Sequence, residues 1–180
     1  KAAKPAKPAM AKGKKILIIA GVVAAVLALA GYGFGSYYYS RGQVAERYEA
    51  AAKKSFKDSL EYQVWSDTKK EIKTSEVKYT DTKSTQAYSK SQLLSGERMQ
   101  KVGRQFLIFP KWRVVVDPGT VDLTVNTADL NVTINGVSYA TTDGNNYTAK
   151  LNHLYPGTYN FVASGKVNDQ DITVSSEENV

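Results

Sequence analysis

One uninterrupted apolar stretch constrains this chain more than any other feature. Residues 16–34 contain no charged side chain, no side-chain amide and no proline. About 20 apolar residues, each rising 1.5 Å in a helix, cover the roughly 30 Å hydrocarbon core of a bilayer. Lipid offers the backbone no hydrogen-bond partner, whereas a continuous helix pairs its own N–H and C=O groups. We therefore predict one transmembrane helix over residues 16–39, with the lipid bilayer as its partner.

The flanks of this stretch predict its direction. Six lysines and no acidic residue lie in residues 1–15, and a run of three tyrosines occupies residues 37–39. Lysine-rich flanks stay on the cytoplasmic side, and tyrosines favour the headgroup level. The pattern predicts a cytoplasmic N-terminus and an extracytoplasmic region from about residue 40. The alternative is a secretory signal cleaved after Ala30, since Ala28-Leu29-Ala30 has the small-x-small form of a cleavage site.

The net charge of +7 is concentrated in the N-terminal tail. Of the 24 basic residues, 6 lie in residues 1–15, and the other 18 are nearly balanced by 17 acidic residues. This balance gives no support for a nucleic-acid partner. The tail, rich in Lys, Ala and Pro, is predicted to be a disordered cytoplasmic segment. The sequence has no cysteine, which excludes disulfides, thiolate catalysis and cysteine-based metal sites within it.

Residues 40–110 favour a small helical module. Apolar residues recur every four positions from Val44 to Leu60, which predicts an amphipathic helix over about residues 42–60. A face of this kind serves either the core of its own module or contact with a membrane or a partner. Both interpretations remain open from the sequence.

The second half of this module is expected to contain another helix and the closing part of the core. Thr74-Ser75-Glu76 resembles a helix start, so a polar helix is expected after it, ending near Ser95. The next segment, residues 99–109, holds the largest concentration of apolar side chains outside the predicted span. We expect it to seal the core of the helical module before Pro110 ends it.

From residue 111 the pattern changes to short β-branched runs separated by turn residues. Strands are predicted at residues 112–116, 121–125, 131–134, 137–139, 147–151, 158–162 and 172–174. Asn135-Gly136 is the strongest turn signal, because both central residues of a type I′ turn need a positive φ. Residues 111–180 therefore predict a small all-β sandwich or half-barrel. The predicted fold class is a single transmembrane helix followed by an α+β extracytoplasmic region.

No catalytic, cofactor-binding or metal-binding residue is predicted. The sole histidine, His153, is interpreted as a loop or edge residue, since a transition metal needs more nitrogen or sulfur ligands. Asp169 and Asp171 are interpreted as turn and strand-start residues rather than a catalytic pair. Asp143-Gly144-Asn145 lacks the spaced acids of a calcium loop. We expect a chain that is not an enzyme and needs no cofactor.

Two further patterns leave alternatives open. Four tyrosines of the β region suit either stacking on sugars and partners or internal packing. They are Tyr139, Tyr147, Tyr155 and Tyr159. Small residues in the span permit close approach of two helices and hence homo-association, although solitary spans also contain them. They are Ala20, Gly21, Ala24, Ala25 and Ala28.

Three features of the chain occur together. A lysine-flanked span is followed at once by a helical segment, and residues 102–112 read VGRQFLIFPKW. Residues 132–136 read VTING and are followed by YPGTY at residues 155–159, a pairing shared with small β-modules of the PEGA type. Together these features resemble the TcaA family of Gram-positive membrane proteins, which is associated with teicoplanin susceptibility. Residues 102–112 resemble the junction between the helical and β modules of that family.

The resemblance implies a cell-envelope protein linked to peptidoglycan, to another envelope protein or to the glycopeptide-antibiotic response. Family members usually carry a zinc ribbon; this chain has no cysteine for one, so a ribbon is expected only before Lys1 and no zinc is assigned. Further family domains, including an NTF2-like one, would follow Val180. The resemblance carries over no catalytic residues.

We therefore expect an anchored module that binds, senses or acts as a spacer at the cell wall. Two alternatives stay open: a secreted protein processed after Ala30, and the anchor and stalk of a larger extracytoplasmic enzyme.

Overall fold

The computed structural model describes residues 12–83 and 85–180, with side chains from Ile16 onward. An apolar helix is followed by a small helical part and a mostly β region. The helices are α1 (Lys12–Tyr38), α2 (Arg41–Lys54), α3 (Phe56–Ser59) and α4 (Lys90–Ser95), with a 3₁₀ turn at Leu60–Tyr62. The strands are β1 (Gln63–Trp65), β2 (Met99–Gln105), β3 (Phe109–Val116), β4 (Gly119–Val125), β5 (Asn131–Ile134), β6 (Val137–Thr141), β7 (Tyr147–Leu154), β8 (Thr158–Val167) and β9 (Gln170–Asn179). Residues 1–11 of the predicted tail lie outside the described residues.

The helix α1 is long and apolar enough to cross a membrane. Its segment Ile16–Tyr38 has 23 residues and a mean hydropathy of 2.4. Its large side chains are exposed, Leu17 by 74% and Leu29 by 72%. The helix begins at Lys12, earlier than the boundary predicted at residue 16. Lysine is a good helix former, and one glycine in the first turn costs only about 1 kcal/mol, so nothing stops the helix there.

The helix α2 confirms the first part of the amphipathic helix predicted over residues 42–60. Its buried face consists of Val44, Ala45 and Tyr48. This face packs in a core with Leu93, Met99 and Val114, so it belongs to the interior of the chain. The helix ends at Lys54 because Ser55 is extended, with a φ of −162°. Ser55 instead caps α3, its Oγ accepting a hydrogen bond from the Asp58 N–H at 3.0 Å.

A three-stranded sheet of order β1-β3-β2 packs against these helices. The central strand β3 is parallel to β1 and antiparallel to β2. Its last three residues, Val114, Val115 and Val116, are buried. The strand predicted at residues 112–116 is therefore confirmed, although it begins earlier, at Phe109. The assignment of residues 40–110 and 111–180 to separate modules stays a prediction.

The expectation that residues 99–109 seal a helical core is wrong. This segment forms β2 and the turn into β3, and within β2 only Met99 is buried. Phe106, Leu107 and Ile108 form an exposed turn. The β-branched run after Pro110 forms a strand, and residues 99–105 pair with it. This pairing outweighs the helix-like spacing of the apolar residues in the segment.

The polar helix predicted after Thr74 is also wrong in its position. Residues 74–79 form turns, and α4 is a short helix of 6 residues. The Glu76 carboxylate accepts a hydrogen bond from the Lys73 N–H at 2.7 Å and so closes a turn where the helix was expected. Ser89 starts α4 instead, in a capping box with Gln92. The predicted end near Ser95 is confirmed.

The strands β4 to β9 form two sheets around a shared core. One sheet pairs β4 with β7, and the other has the order β6-β5-β8-β9. The core consists of Ile134, Leu151, Leu154, Tyr159 and Phe161. The predicted β-rich region is confirmed, and its last two strands extend further than predicted, to Val167 in β8 and Asn179 in β9.

The turn predicted at Asn135-Gly136 is confirmed between β5 and β6. The two residues have φ values of 49° and 77°, as a type I′ turn requires. The Asn135 side chain also holds two other segments. Its Nδ2 donates to the Tyr79 carbonyl at 2.8 Å, and its Oδ1 accepts from the Asn160 N–H at 2.8 Å.

A further core joins the β1-β3-β2 sheet to the strands that follow it. It contains Leu60, Trp65, Ile72, Val77, Val116 and Tyr155. Tyr155 comes from the turn between β7 and β8, and its hydroxyl donates to Gln63 Oε1 in β1 at 2.7 Å. Burial raises the pKa of Tyr155 far above its ordinary value, so the hydroxyl stays a neutral donor.

We predict that two substitutions at Tyr155 lower the free energy of unfolding by different amounts. Tyr155→Phe leaves the buried Gln63 oxygen without its donor and costs about 1–3 kcal/mol. Tyr155→Ala also opens a cavity and costs about 3–5 kcal/mol. Urea unfolding of the full chain in detergent micelles, followed by tryptophan fluorescence, measures both. Tyr147→Phe at a half-exposed site is the matched control, and equal losses in all three variants would contradict the role of this core.

Candidate functional site at the C-terminal end of the apolar helix

An aromatic cluster surrounds the C-terminal end of α1. Phe34 stacks on Tyr38 with ring centroids 5.9 Å apart, and Tyr38 meets Tyr39 edge to face at 5.0 Å. The Tyr37 hydroxyl accepts a hydrogen bond from Gln43 Nε2 at 3.1 Å. A tyrosine has an apolar ring and a polar tip, which suits a boundary between apolar and aqueous surroundings.

Two side chains fix the corner between α1 and α2. Ser40 caps α2, its Oγ accepting a hydrogen bond from the Gln43 N–H at 3.4 Å. The Arg47 guanidinium donates to the Tyr38 carbonyl at 2.8 Å and lies 3.8 Å from the centre of the Tyr38 ring. This bond satisfies a carbonyl that the end of α1 leaves without an intrahelical partner. Side chains therefore hold the direction in which the chain leaves α1.

Gly35 is the point at which the β2–β3 hairpin meets α1. The Phe109 ring lies where a side chain at Gly35 would be, so the close approach requires a glycine. The same ring stacks with Tyr32 at 5.8 Å and with Tyr39 at 5.2 Å between centroids. Phe109 is buried by these contacts. The hairpin is thus packed on the last two turns of the apolar helix.

A cleft of about 200 Å³ opens beside this cluster, between α2 and β3. The cations Arg47, Lys111 and Arg113 line it together with one carboxylate, Glu61. Burial lowers the pKa of Arg113, and its Nε has no hydrogen-bond partner among the described residues. Cations outnumber acids in the cleft, so its electrostatics favour an anionic group.

Two of the cations that line the cleft also contact a carboxylate outside it. Lys111 Nζ donates to Glu71 Oε1 at 2.9 Å, and Arg113 lies 3.8 Å from the same oxygen. The hydrogen bond from Lys111 and the attraction of both cations lower the pKa of Glu71. Glu71 remains exposed, so we regard this pair as a positioning contact with little net stabilisation.

The histidine singled out in the sequence lies in β7 and has one acidic neighbour. His153 Nε2 is 2.9 Å from Asp67 Oδ2, and its ring meets Trp65 edge to face at 5.5 Å. Partial burial raises the pKa of Asp67, but hydrogen bonds from the Thr68 N–H and His153 outweigh this and bring it below its usual value. The pair links β7 to the residues after β1.

The acidic candidates do not converge. Asp169 has a φ of 60° and lies in the turn between β8 and β9. Asp171 lies in β9 opposite Lys166 of β8. Among residues 12–83 and 85–180, no group of three or more His, Asp or Glu side chains is arranged to hold a metal ion.

The four tyrosines of the β region divide between two environments. Tyr155 and Tyr159 are buried, which assigns them to packing. Tyr139 and Tyr147 are half-buried, and Tyr139 meets Tyr79 edge to face at 5.9 Å. Homo-association through the small residues of α1 stays a prediction.

Sequence reasoning missed the contact of Gly35 with Phe109 and the exposed turn at residues 106–108. The available signal was the run FLIF between basic residues, which is unusual for a hairpin turn. Nothing in the spacing of Gly31, Gly33 and Gly35 distinguishes the glycine that meets another element.

We predict that Gly35→Leu loosens the hairpin, while Gly33→Leu does not. A side chain at Gly35 displaces the Phe109 ring, whereas a Cβ at Gly33 meets no atom within 4 Å. Overpacking of this kind costs about 1–3 kcal/mol. Amide hydrogen exchange of residues 99–116 in detergent micelles should therefore accelerate by about one to two orders of magnitude. Equal exchange in both variants would show that the hairpin is held elsewhere.

Comparison of the chain with protein-family models, with curated proteins and with solved structures finds no match.

Proposed function

We propose that this protein is a single-pass membrane protein, with α1 as the anchor and the residues after Tyr39 as an extracytoplasmic module. The observation that carries this proposal is the exposure of the large apolar side chains of α1 from Ile16 to Phe34. Eleven large apolar or aromatic side chains between Ile16 and Phe34 are exposed. Exposed apolar surface costs about 25 cal/mol per Å² in water, and a bilayer removes this cost.

The surroundings of α1 support the same proposal. The lysines of residues 1–15 precede its apolar segment, and the tyrosines of residues 37–39 lie at its C-terminal end, as in spans with a cytoplasmic N-terminus. The corner held by Ser40 and Arg47 turns the chain directly into a folded region. Residues 41–179 therefore begin at the surface of the proposed membrane without a flexible linker.

We assign the extracytoplasmic module a role in binding, sensing or spacing at the cell envelope, without chemistry of its own. Peptidoglycan or another envelope protein is the proposed partner, and the resemblance to the TcaA family supports a link to the glycopeptide-antibiotic response. The cation-rich cleft beside the anchor is a suitable place for an anionic envelope group.

We predict that the full chain stays in the membrane fraction after an alkaline carbonate wash. A variant with Val23→Lys and Leu27→Lys should lose this behaviour, because each charge at the centre of a span costs about 2.5–3.5 kcal/mol. The matched control, Val23→Leu with Leu27→Val, should remain in the membrane. Protease treatment of intact cells should spare only the N-terminal tail. A soluble wild-type chain, or a mature N-terminus at Gly31, would refute the anchor.

We also predict that the full chain in mild detergent sediments with purified, insoluble peptidoglycan. The control is the same chain after thermal unfolding, which should remain in the supernatant. If the folded chain also remains in the supernatant, the partner is another envelope protein or the module acts only as a spacer.

A further inference from the structure

The tip of the β2–β3 hairpin is an apolar surface that the core does not use. Phe106, Leu107 and Ile108 are 70%, 85% and 57% exposed. Three consecutive large apolar side chains at the end of a hairpin form a patch that water disfavours. The tip belongs to the same hairpin whose next residue, Phe109, packs on Gly35.

The backbone of this turn makes the choice of residues more unusual. Phe106 and Leu107 have φ values of 49° and 65°, and the Ile108 N–H donates to the Gln105 carbonyl at 3.3 Å. This is the geometry of a type I′ turn, for which Asn-Gly is preferred and bulky residues are strained. The same chain uses Asn135-Gly136 for such a turn between β5 and β6. At the β2–β3 tip, apolar side chains replace the residues that the backbone prefers.

The strand β3 points this tip along α1, away from the folded region. Its residue Val114 packs with the buried face of α2. Closer to the tip, Trp112 lies under the guanidinium of Arg41, at 5.8 Å. Phe109 then contacts Tyr39, Gly35 and Tyr32. From Val114 to Phe109, β3 thus runs from α2 past the corner and onto the last turns of α1.

These contacts set the depth of the tip relative to the proposed span. Tyr32 precedes the last residue of α1, Tyr38, by six residues, which is about 9 Å along the helix axis. Phe109 stacks on Tyr32, and Phe106 meets Tyr39 edge to face at 6.1 Å. The tip therefore lies at the level of the last two turns of α1.

The residues that flank the tip suit a lipid surface. Residues 98–116 contain five basic residues and no acidic one. Of these, Lys101 and Arg104 in β2 are exposed. Apolar side chains at a tip with cations behind them match the acyl region and the anionic headgroups of a bilayer.

We propose that Phe106, Leu107 and Ile108 insert into the leaflet that surrounds the C-terminal end of α1. The tip forms a second attachment to the same membrane and fixes the tilt of the extracytoplasmic module. This inference rests on the proposed function, because it requires α1 to span the bilayer.

Single-cysteine labelling tests the insertion directly, since the chain has no cysteine of its own. Leu107→Cys is labelled with an environment-sensitive fluorophore, and the full chain is reconstituted in phosphatidylcholine–phosphatidylglycerol vesicles. Phe34→Cys in α1 and Val174→Cys in β9 serve as the lipid and water references, since both side chains are exposed on the protein. Lipids brominated in the upper acyl chain should quench the labels at residues 107 and 34, and aqueous iodide should quench the label at residue 174.

Each other outcome has a defined meaning. If iodide quenches the label at residue 107 while lipid quenches that at residue 34, the inserted tip is refuted and the anchor stands. If iodide quenches both, the anchor and the tip are refuted together. If neither quencher reaches residue 107, protein covers the tip, as in contact with a second copy, and lipid insertion is refuted.

A second variant separates insertion from folding. Phe106→Asn with Leu107→Gly installs the residues that a type I′ turn prefers, so the hairpin should fold at least as well. With the label at Ile108→Cys, iodide quenching should rise severalfold in this variant, while the urea midpoint stays equal or increases. Unchanged lipid quenching at residue 108 would show that the apolar tip does not drive the approach to the membrane.

Discussion

The packing of the Phe109 ring on the backbone of Gly35 ties the folded region to the apolar helix. The other links between α1 and the folded region lie at the corner, where Ser40 caps α2 and Arg47 binds the Tyr38 carbonyl. With it, the hairpin lies along the last turns of α1, stacked between Tyr32 and Tyr39. The sheet, the cleft and the exposed tip all take their position relative to α1 from this contact.

The charged groups near this contact are arranged around it. Arg47 binds the Tyr38 carbonyl at the end of α1, and Lys111 and Arg113 both contact Glu71. Their shared carboxylate, Glu71, is exposed to solvent, so the pairs add little to stability. Arg47 fixes the direction in which the chain leaves α1. Together with Lys111 and Arg113 it also places positive charge at the boundary between the apolar helix and the folded region. Stability comes from the three cores, the second and third of which are linked by the hydrogen bond from the Tyr159 hydroxyl to the Tyr155 carbonyl.

Local signals in the sequence predict the elements whose cause is local. The apolar helix follows from a run without charge, and the turn at Asn135-Gly136 follows from its need for positive φ. Residues 99–109 mislead because their apolar spacing fits a helix, while pairing with β3, a non-local cause, makes them a strand. Thr74 misleads for a different, local reason, because the Glu76 carboxylate accepts from the Lys73 N–H and closes a turn instead of starting a helix.

The candidate site is less visible in the sequence. Its tyrosines and basic residues are recognisable as a boundary cluster, but the role of Gly35 depends on an aromatic ring 74 positions later in the chain. One sequence gives no indication which glycine faces another element. The same holds for His153 and Asp67, which are brought together from distant positions by the pairing of sheets.

Asn135 serves two purposes that are separable in principle. Its positive φ shapes the turn, and its side-chain amide links the Tyr79 carbonyl to Asn160 near the start of β8. Glycine at this position would adopt the positive φ but would lack the side-chain hydrogen bonds to the loop. An Asn135→Gly substitution would therefore let residues 77–80 open locally while β5 and β6 stay paired. The backbone of this residue thus shapes the turn, while its side chain controls local opening of the loop.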